Sequence, residues 1–228
     1  MQLNWLMRYQ PVVRLLDDLA DGSVLDVGSG WHGLTAYRAG TIVQTDLAFL
    51  GEPSQHVVRP VLVAATAERL PFADASFDYA VSLDMFEHLP SGIREPSVQE
   101  LCRVSRKGVI VVFPVGRPAQ AVDTVLYHAL RFRRRGVPDW LTEHREQLHY
   151  PDRSMLSSAL PPLWSITAET KSGNVVAQTT LVLAEHVPGG HRVSRSLETR
   201  WRASGVPHWL DRGLSYRMIY LVEPASRV

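Results

Sequence analysis

The order of apolar and polar positions divides the chain into a regular first half and a less regular second half. In residues 11–20 Val12, Leu15, Leu16 and Leu19 recur at helical spacing, with Pro11 suited to a helix start and Gly22 to a stop. The run SVLDVGSGWHG, from Ser23, is apolar and then glycine-rich, which predicts a strand entering a tight turn. Residues 33–39 fit a short helix closed by Gly40, and TIVQTDLA is a second strand. A third, short strand is expected near 62–65, a fourth in FDYAVSLDMF and a fifth in KGVIVVFPVG. Between the last two, SVQELCRVS puts Val98, Leu101, Cys102 and Ser105 on one helical face. Strands alternating with helices predict a parallel sheet covered on both sides, so the first half reads as a doubly wound α/β unit.

The second half is polar, arginine-rich and aromatic over residues 117–160, with helices expected near 118–134 and 152–160. Leu163 to Thr170 alternates as a strand does, Asn174 to His186 fits a helix despite its Val and Thr content, and 189–205 reads as a basic helix. LSYRMIYLV, Leu214 to Val222, is the last strand. No stretch approaches the roughly 18–20 apolar residues of a membrane span. Met1 to Gln10 lacks a basic start followed by a long apolar run, so no secretory signal is expected there.

Composition narrows the class. With 228 residues, 45% hydrophobic and 21% charged, the chain has the length and balance of one globular domain. Its one cysteine, Cys102, excludes an internal disulfide and any multi-cysteine metal site, and fits a reducing, cytoplasmic setting. A net charge of +1 gives no global argument for nucleic acid. The mean conceals a split: residues 1–114 hold 9 Lys/Arg and 13 Asp/Glu, net −4, while residues 115–228 hold 15 and 10, net +5. Nearly all the basic charge is arginine, Lys107 and Lys171 being the only lysines.

The chemistry concentrates after the first strand. Asp26, Gly28, Gly30 and Gly33 stand in DVGSGWHG, where glycines let a ligand approach the backbone and a following helix would offer unpaired N–H groups. Asp46 ends the second strand twenty positions after Asp26, where a carboxylate can accept from both hydroxyls of a ribose. An ordinary strand-to-helix turn and a surface or capping carboxylate remain the plain alternatives, since the glycine pattern alone is shared by nicotinamide and flavin enzymes. Asp26 separates the ligands: a fixed carboxylate just before the first glycine repels a pyrophosphate and suits a cationic ligand such as S-adenosylmethionine, which carries a sulfonium and an ammonium.

With VLDVGSG, TDLA, ATAERLPFADASFDYAVSLDMFEHLP and LCRVSRKGVIVVFPV in that order, residues 20–116 resemble the class I S-adenosylmethionine-dependent methyltransferases. Within them the likeness is to the large small-molecule subgroup (type 11-like) that includes the quinone-biosynthesis enzymes. The resemblance implies a Rossmann-like fold: a seven-strand, mostly parallel sheet whose last strand is antiparallel. Residues 1–228 would be a single domain, 20–116 its cofactor-binding core, and 117–160 and 174–205 helical insertions forming a lid and the acceptor pocket. It also implies site residues. Asp26, Gly28 and Gly30 would line the methionine end of the cofactor, Asp46 would hold the ribose hydroxyls and Leu47 would pack on the adenine. Ala67 and Glu68 would meet the adenine edge, and Ser82, Leu83 and Asp84 would lie beside the methionine and the reactive methyl. Glu87 and His88 occupy the turn that follows. Thr66 stands where the family often has an aspartate for the adenine amino group, and Trp31 and His32 are bulky for the glycine loop and are candidates for the pocket wall.

Methyl transfer from a sulfonium is a direct displacement, so alignment and exclusion of water matter more than a catalytic pair. A base is needed only where the acceptor must lose a proton early. The candidates are His88, after the fourth strand, and His144 in TEHREQLHY, where Glu143 and His149 are also near in sequence; a structural histidine and a solvated polar loop are the alternatives. The spacing of these groups matches no metal motif, so no metal is expected. The run Arg131, Arg133, Arg134 and Arg135, and the series Arg192, Arg195, Arg200 and Arg202, suit an anionic acceptor or, with Trp140, Trp201 and Trp209 nearby, peripheral membrane contact. A solvated helix face in an arginine-preferring proteome is the plainer reading, which the scarcity of lysine supports. The expected function is methyl transfer to a small or lipid-like acceptor. A non-catalytic S-adenosylmethionine-binding protein and a nicotinamide-dependent oxidoreductase are the alternatives, the latter opposed by Asp26 and by the lack of a Tyr-x-x-x-Lys pair.

Overall fold

A computed structural model of the chain describes residues 2–19, 22–49, 56–132, 136–146, 150–185 and 189–225. Seven strands, β1 (Val24–Val27), β2 (Ile42–Asp46), β3 (Val61–Ala64), β4 (Phe77–Leu83), β5 (Ser105–Pro114), β6 (Trp164–Asn174) and β7 (Ser215–Pro224), form one sheet. Their spatial order is β3-β2-β1-β4-β5-β7-β6. Neighbours among β1 to β5 pair in parallel, and β7 runs antiparallel to both β5 and β6. The sheet that the family resemblance implies is therefore present, reversed strand included.

Both faces of the central strands are buried, in strict alternation. Leu25, Val27, Ala80, Val109, Val111 and Phe113 point into one core. Helices α2 (Ser91–Val104) and α5 (Arg153–Ala159) cover it with Val98, Leu101, Leu156 and Ala159. Val24, Tyr79, Val81, Ile110 and Val112 point the other way, against Tyr9, Val12 and Leu16 of helix α1 (Gln2–Asp18). A period of two with apolar residues on both faces is what a strand between two layers requires.

Two expectations need correction. Helix α1 starts at Gln2, not at Pro11, and carries Pro11 inside it. The proline removes one intrahelical bond, but Leu3, Leu6, Met7 and Tyr9 ahead of it are all buried, and that packing overrides the break. The helix expected over 33–39 is a single 3-10 turn, Leu34–Ala36. Among the described residues no α-helix lies between β1 and β4, so the alternation of strand and helix is incomplete in the first half. The segment between Gly33 (φ +40) and Gly40 (φ +139) is too short for two helical turns once both ends are bent by glycine.

Among the described residues the second half supplies five of the seven α-helices. α3 (Gly116–Phe132), α4 (Asp139–Glu146) and α5 lie between β5 and β6, and α6 (Val175–Glu185) and α7 (Gly190–Ser204) lie between β6 and β7. Helix α4 was not expected: its sequence is polar, yet Leu141 and His144 are buried on one face. Ala119, Val122, Leu126 and Leu130 of α3 join Leu141, Val182 of α6 and Tyr216 of β7 in a separate core. Because β7 is antiparallel, its first residues, Tyr216 and Arg217, lie level with Pro114 at the carboxyl end of β5.

Candidate functional site

In an open α/β sheet a ligand crevice forms outside the carboxyl ends of the strands, where neighbouring connections leave in opposite directions. Here that point lies between β1 and β4, with β2 on the far side of β1. A cleft of about 420 Å³ opens there, lined by Gly28 after β1, Asp46 and Leu47 after β2, Ala65 and Ala67 after β3, and Asp84 and His88 after β4. Met85, Leu89 and Glu143 of α4 complete its wall.

Asp26 is fully buried near the end of β1. Its Oδ2 accepts the Leu34 N–H at 2.7 Å, and its Oδ1 has no hydrogen-bond partner. Burial pushes its carboxyl up to about 7, against the pull of that hydrogen bond. Gly28 and Gly30 both adopt left-handed backbone, φ +76 and +53. A Cβ on Gly28 would meet Met85 Cγ and Sδ at 2.7 Å, whereas one on Gly30 would have nothing within 4 Å. The loop is tied to β2 through Asp46, whose Oδ2 accepts the Gly30 N–H at 2.8 Å and whose Oδ1 accepts the Ala48 N–H at 3.3 Å. Leu47 is 73% exposed, an apolar side chain at the cleft wall.

The remaining expected residues divide. Glu68 is exposed in the loop after β3, in the tight turn closed by Thr66 and Arg69. Ser82 and Leu83 are buried within β4, and the Ser82 hydroxyl has no partner. Asp26, Gly30, Glu68, Ser82 and Leu83 stand outside the lining of the cleft. His32 stacks on Trp5 of α1 at 4.6 Å, and Trp31 meets Phe49 at 5.6 Å. His149 and Arg133 to Arg135 lie outside the described residues.

Asp84 has φ +52, and its carboxylate is held on both sides. Arg217 Nε donates to both oxygens at 2.7 and 2.8 Å, and Arg8 Nη1 lies 3.2 Å away. Burial raises this carboxyl, but the two guanidiniums outweigh it and hold Asp84 below the ordinary carboxylate range. Glu87, three residues on, is buried without such partners: Oε2 has no hydrogen bond, and burial followed by the Asp84 charge pushes its carboxyl well up.

The two candidate histidines come together, as spacing along the chain could not foretell. Their rings are 4.9 Å apart. His144, 4% exposed, lies 2.8 Å through Nδ1 from Asp123 Oδ2. Asp123 also accepts the Tyr216 hydroxyl at 2.7 Å and the Tyr150 hydroxyl. His88 Nδ1 lies 2.7 Å from Glu143 Oε2, and burial, then the neighbouring His144, holds its imidazole low. A carboxylate only accepts, so each Nδ1 carries a proton, and in the neutral ring Nε2 is the acceptor.

Arg8, Glu87, Asp123, Tyr150, Tyr216 and Arg217 complete this region, and only Glu87 carried a sequence signal, through its place beside His88. Of the arginine series, Arg202 pairs with Glu198 and lies over the Tyr37 ring, while Arg192, Arg195 and Arg200 are exposed on α7.

Residues 25–113 match the family model described as a methyltransferase domain. No curated protein matches the chain. Solved structures of similar fold include a protein of Pyrococcus horikoshii OT3, with 15% identity, TM-score 0.53, and 95% of this chain and 88% of that one covered. Magnesium protoporphyrin IX methyltransferase of Synechocystis PCC 6803, solved with bound SAH, gives 12% identity, TM-score 0.55, and coverage of 98% and 84%. The 1,6-didemethyltoxoflavin-N1-methyltransferase of Burkholderia thailandensis, solved with 1,6-didemethyltoxoflavin and S-adenosylhomocysteine, gives 13% identity, TM-score 0.53, and coverage of 96% and 78%.

Proposed function

From a chain that carries a methyltransferase domain over residues 25–113 on the class I methyltransferase fold, we propose an S-adenosylmethionine-dependent methyltransferase acting on a small or lipid-like acceptor. One observation carries the reading: a buried carboxylate, Asp26, with an unpartnered oxygen stands behind a left-handed glycine turn at the crevice of the sheet. An orphaned buried acceptor is costly unless a donor reaches it, and the ammonium of a methionine moiety is such a donor. Gly28, in left-handed backbone, lines the cleft itself, which lets a ligand lie against the backbone there.

When bound, the cofactor supplies an electrophilic methyl on a sulfonium. The chain's own residues orient and enclose it. Asp46, already fixed by the Gly30 and Ala48 N–H groups, would accept from ribose hydroxyls, and Leu47 with Ala67 would cover the adenine. Asp84 gathers Arg8 and Arg217 at the end of β4, which puts positive charge where a methionine carboxylate would lie. His88 and His144 would address the acceptor, with Glu143 and Asp123 as positioning residues that orient the two rings. The helices over 116–159 and 175–204 would shape the acceptor pocket, and the +5 balance of residues 115–228 favours an anionic acceptor. The single, buried Cys102 is consistent with a cytoplasmic enzyme; among the described residues no helix is long and apolar enough to cross a membrane.

Calorimetry with S-adenosylhomocysteine and NAD tests the reading. Stoichiometric binding of S-adenosylhomocysteine alone is expected; binding of NAD alone would defeat it. Untargeted comparison of metabolites with and without the protein then identifies the acceptor, a mass gain of one methyl being the sign.

A further inference from the structure

The groups beside the cleft do more than supply a base. One donor atom from each of Glu87, His88 and His144 lies within 4.8 Å of the other two. Two of these residues are almost wholly enclosed, Glu87 at 1% and His144 at 4% exposure. Each of them leaves a buried polar atom without a partner, Glu87 Oε2 and His144 Nε2. They do not satisfy each other: His144 Nε2 is 3.9 Å from Glu87 Oε1, beyond hydrogen-bond reach. In their neutral form both imidazoles present Nε2 lone pairs, their Nδ1–H groups being taken by Asp123 and Glu143. A carboxylate on the far nitrogen of each histidine is the arrangement that fixes tautomer and ring orientation in metal sites.

We propose that Glu87, His88 and His144 form a binding site for one divalent transition-metal ion, most simply Zn²⁺, at the acceptor side of the cleft. Two neutral imidazoles and one carboxylate suit Zn²⁺ or a neighbouring first-row dication better than Mg²⁺ or Ca²⁺, which prefer oxygen throughout. Bonds of about 2.0–2.2 Å require the three donors to close by roughly an ångström, within reach of side-chain rotation. The nearby guanidiniums of Arg8 and Arg217 are engaged with Asp84. His88 lines the cleft, so the ion would meet an acceptor there. It would bind an acceptor oxygen and favour its deprotonated form, the proton leaving to water. That use rests on the methyl-transfer reading; the ion site does not.

The test uses untagged, chelator-treated full-length protein, with Zn²⁺ uptake read by competition against a chromophoric chelator and Co²⁺ read by its visible absorption. One ion per chain is expected. Glu87→Gln and His144→Gln should each abolish uptake, Asp123→Asn should weaken it by about 10–100-fold, and His208→Gln, a surface histidine on the opposite part of the sequence, should leave it unchanged. Circular dichroism on every sample reports whether each variant keeps its fold, and S-adenosylhomocysteine binding is measured alongside. No stoichiometric uptake by the unaltered protein, or equal uptake by folded Glu87→Gln and His144→Gln, would overturn the site. Uptake without S-adenosylhomocysteine binding would uphold the site and defeat the methyl-transfer reading instead.

Discussion

Three buried carboxylates within one site are held in three different ways, and each predicts a different response. Asp84 is fixed by two guanidiniums, Asp26 by one backbone N–H, and Glu87 by no hydrogen bond at Oε2. Asp26 carries a folded-state value near 7 against 3.8 ordinarily. The folded state therefore holds the proton more tightly, so its contribution to stability is fully present below about pH 4 and is lost as pH rises through about 7. Asp26→Asn should remove that slope, about 3 kcal/mol between pH 5 and 7 at about 1.4 kcal/mol per unit, in urea unfolding of wild type and variant between pH 5 and 8. A cationic ligand reverses the preference, because it selects the carboxylate. S-adenosylhomocysteine affinity should thus rise with pH through about 7 in the wild type and not in Asp26→Asn. Asp46→Ala should weaken the same ligand by about 1.5–3 kcal/mol through loss of a charged hydrogen bond; unchanged calorimetric affinity would remove Asp46 from the ribose assignment.

At the level of elements, the turn after β1 combines two glycines with different duties. Gly28 meets Met85, and Gly30 faces open space. Gly28→Ala should therefore lower stability by about 1–3 kcal/mol, from left-handed strain and overpacking together. Gly30→Ala should cost about 1–2 kcal/mol from strain alone and should weaken the cofactor by shifting the N–H that Asp46 accepts. Thermal unfolding and calorimetry on the pair separate the two duties; equal ligand affinity in both variants would contradict them. Elements also show where local rules yield. Pro11 marks a helix start by propensity, but four buried apolar residues before it extend α1 back to Gln2. Helix α4 is polar in sequence and reads as a loop or lid, yet it is a helix because His144 finds Asp123 and Leu141 finds the α3 core.

For the whole molecule, the reversal of β7 decides the site's electrostatics. An antiparallel last strand begins, rather than ends, at the ligand side, and so delivers Tyr216 to Asp123 and Arg217 to Asp84. Arg217→Ala would leave a buried carboxylate with Arg8 alone and should cost about 3–5 kcal/mol in urea unfolding; a loss under about 1 kcal/mol would mean that Arg8 suffices. The charge split between halves acquires a structural sense here too. Asp46 and Asp84 of the acidic half line the cleft, while of the basic half's arginines Arg217 and Arg202 pair internally and Arg192, Arg195 and Arg200 lie exposed on α7. Sequence alone determined the seven strands and the glycine turn and singled out Asp26 and Asp46 as candidates, because periodicity, glycine and a strand-end carboxylate act within a few residues of one another. It also singled out His88 and His144 as separate candidates. Their union with Glu87, and the carboxylates behind them, belonged to tertiary structure alone. Residues 87, 123, 144 and 217 meet only when β4, α3, α4 and β7 are packed around the same strand ends, and contacts across such separations leave no local pattern to read.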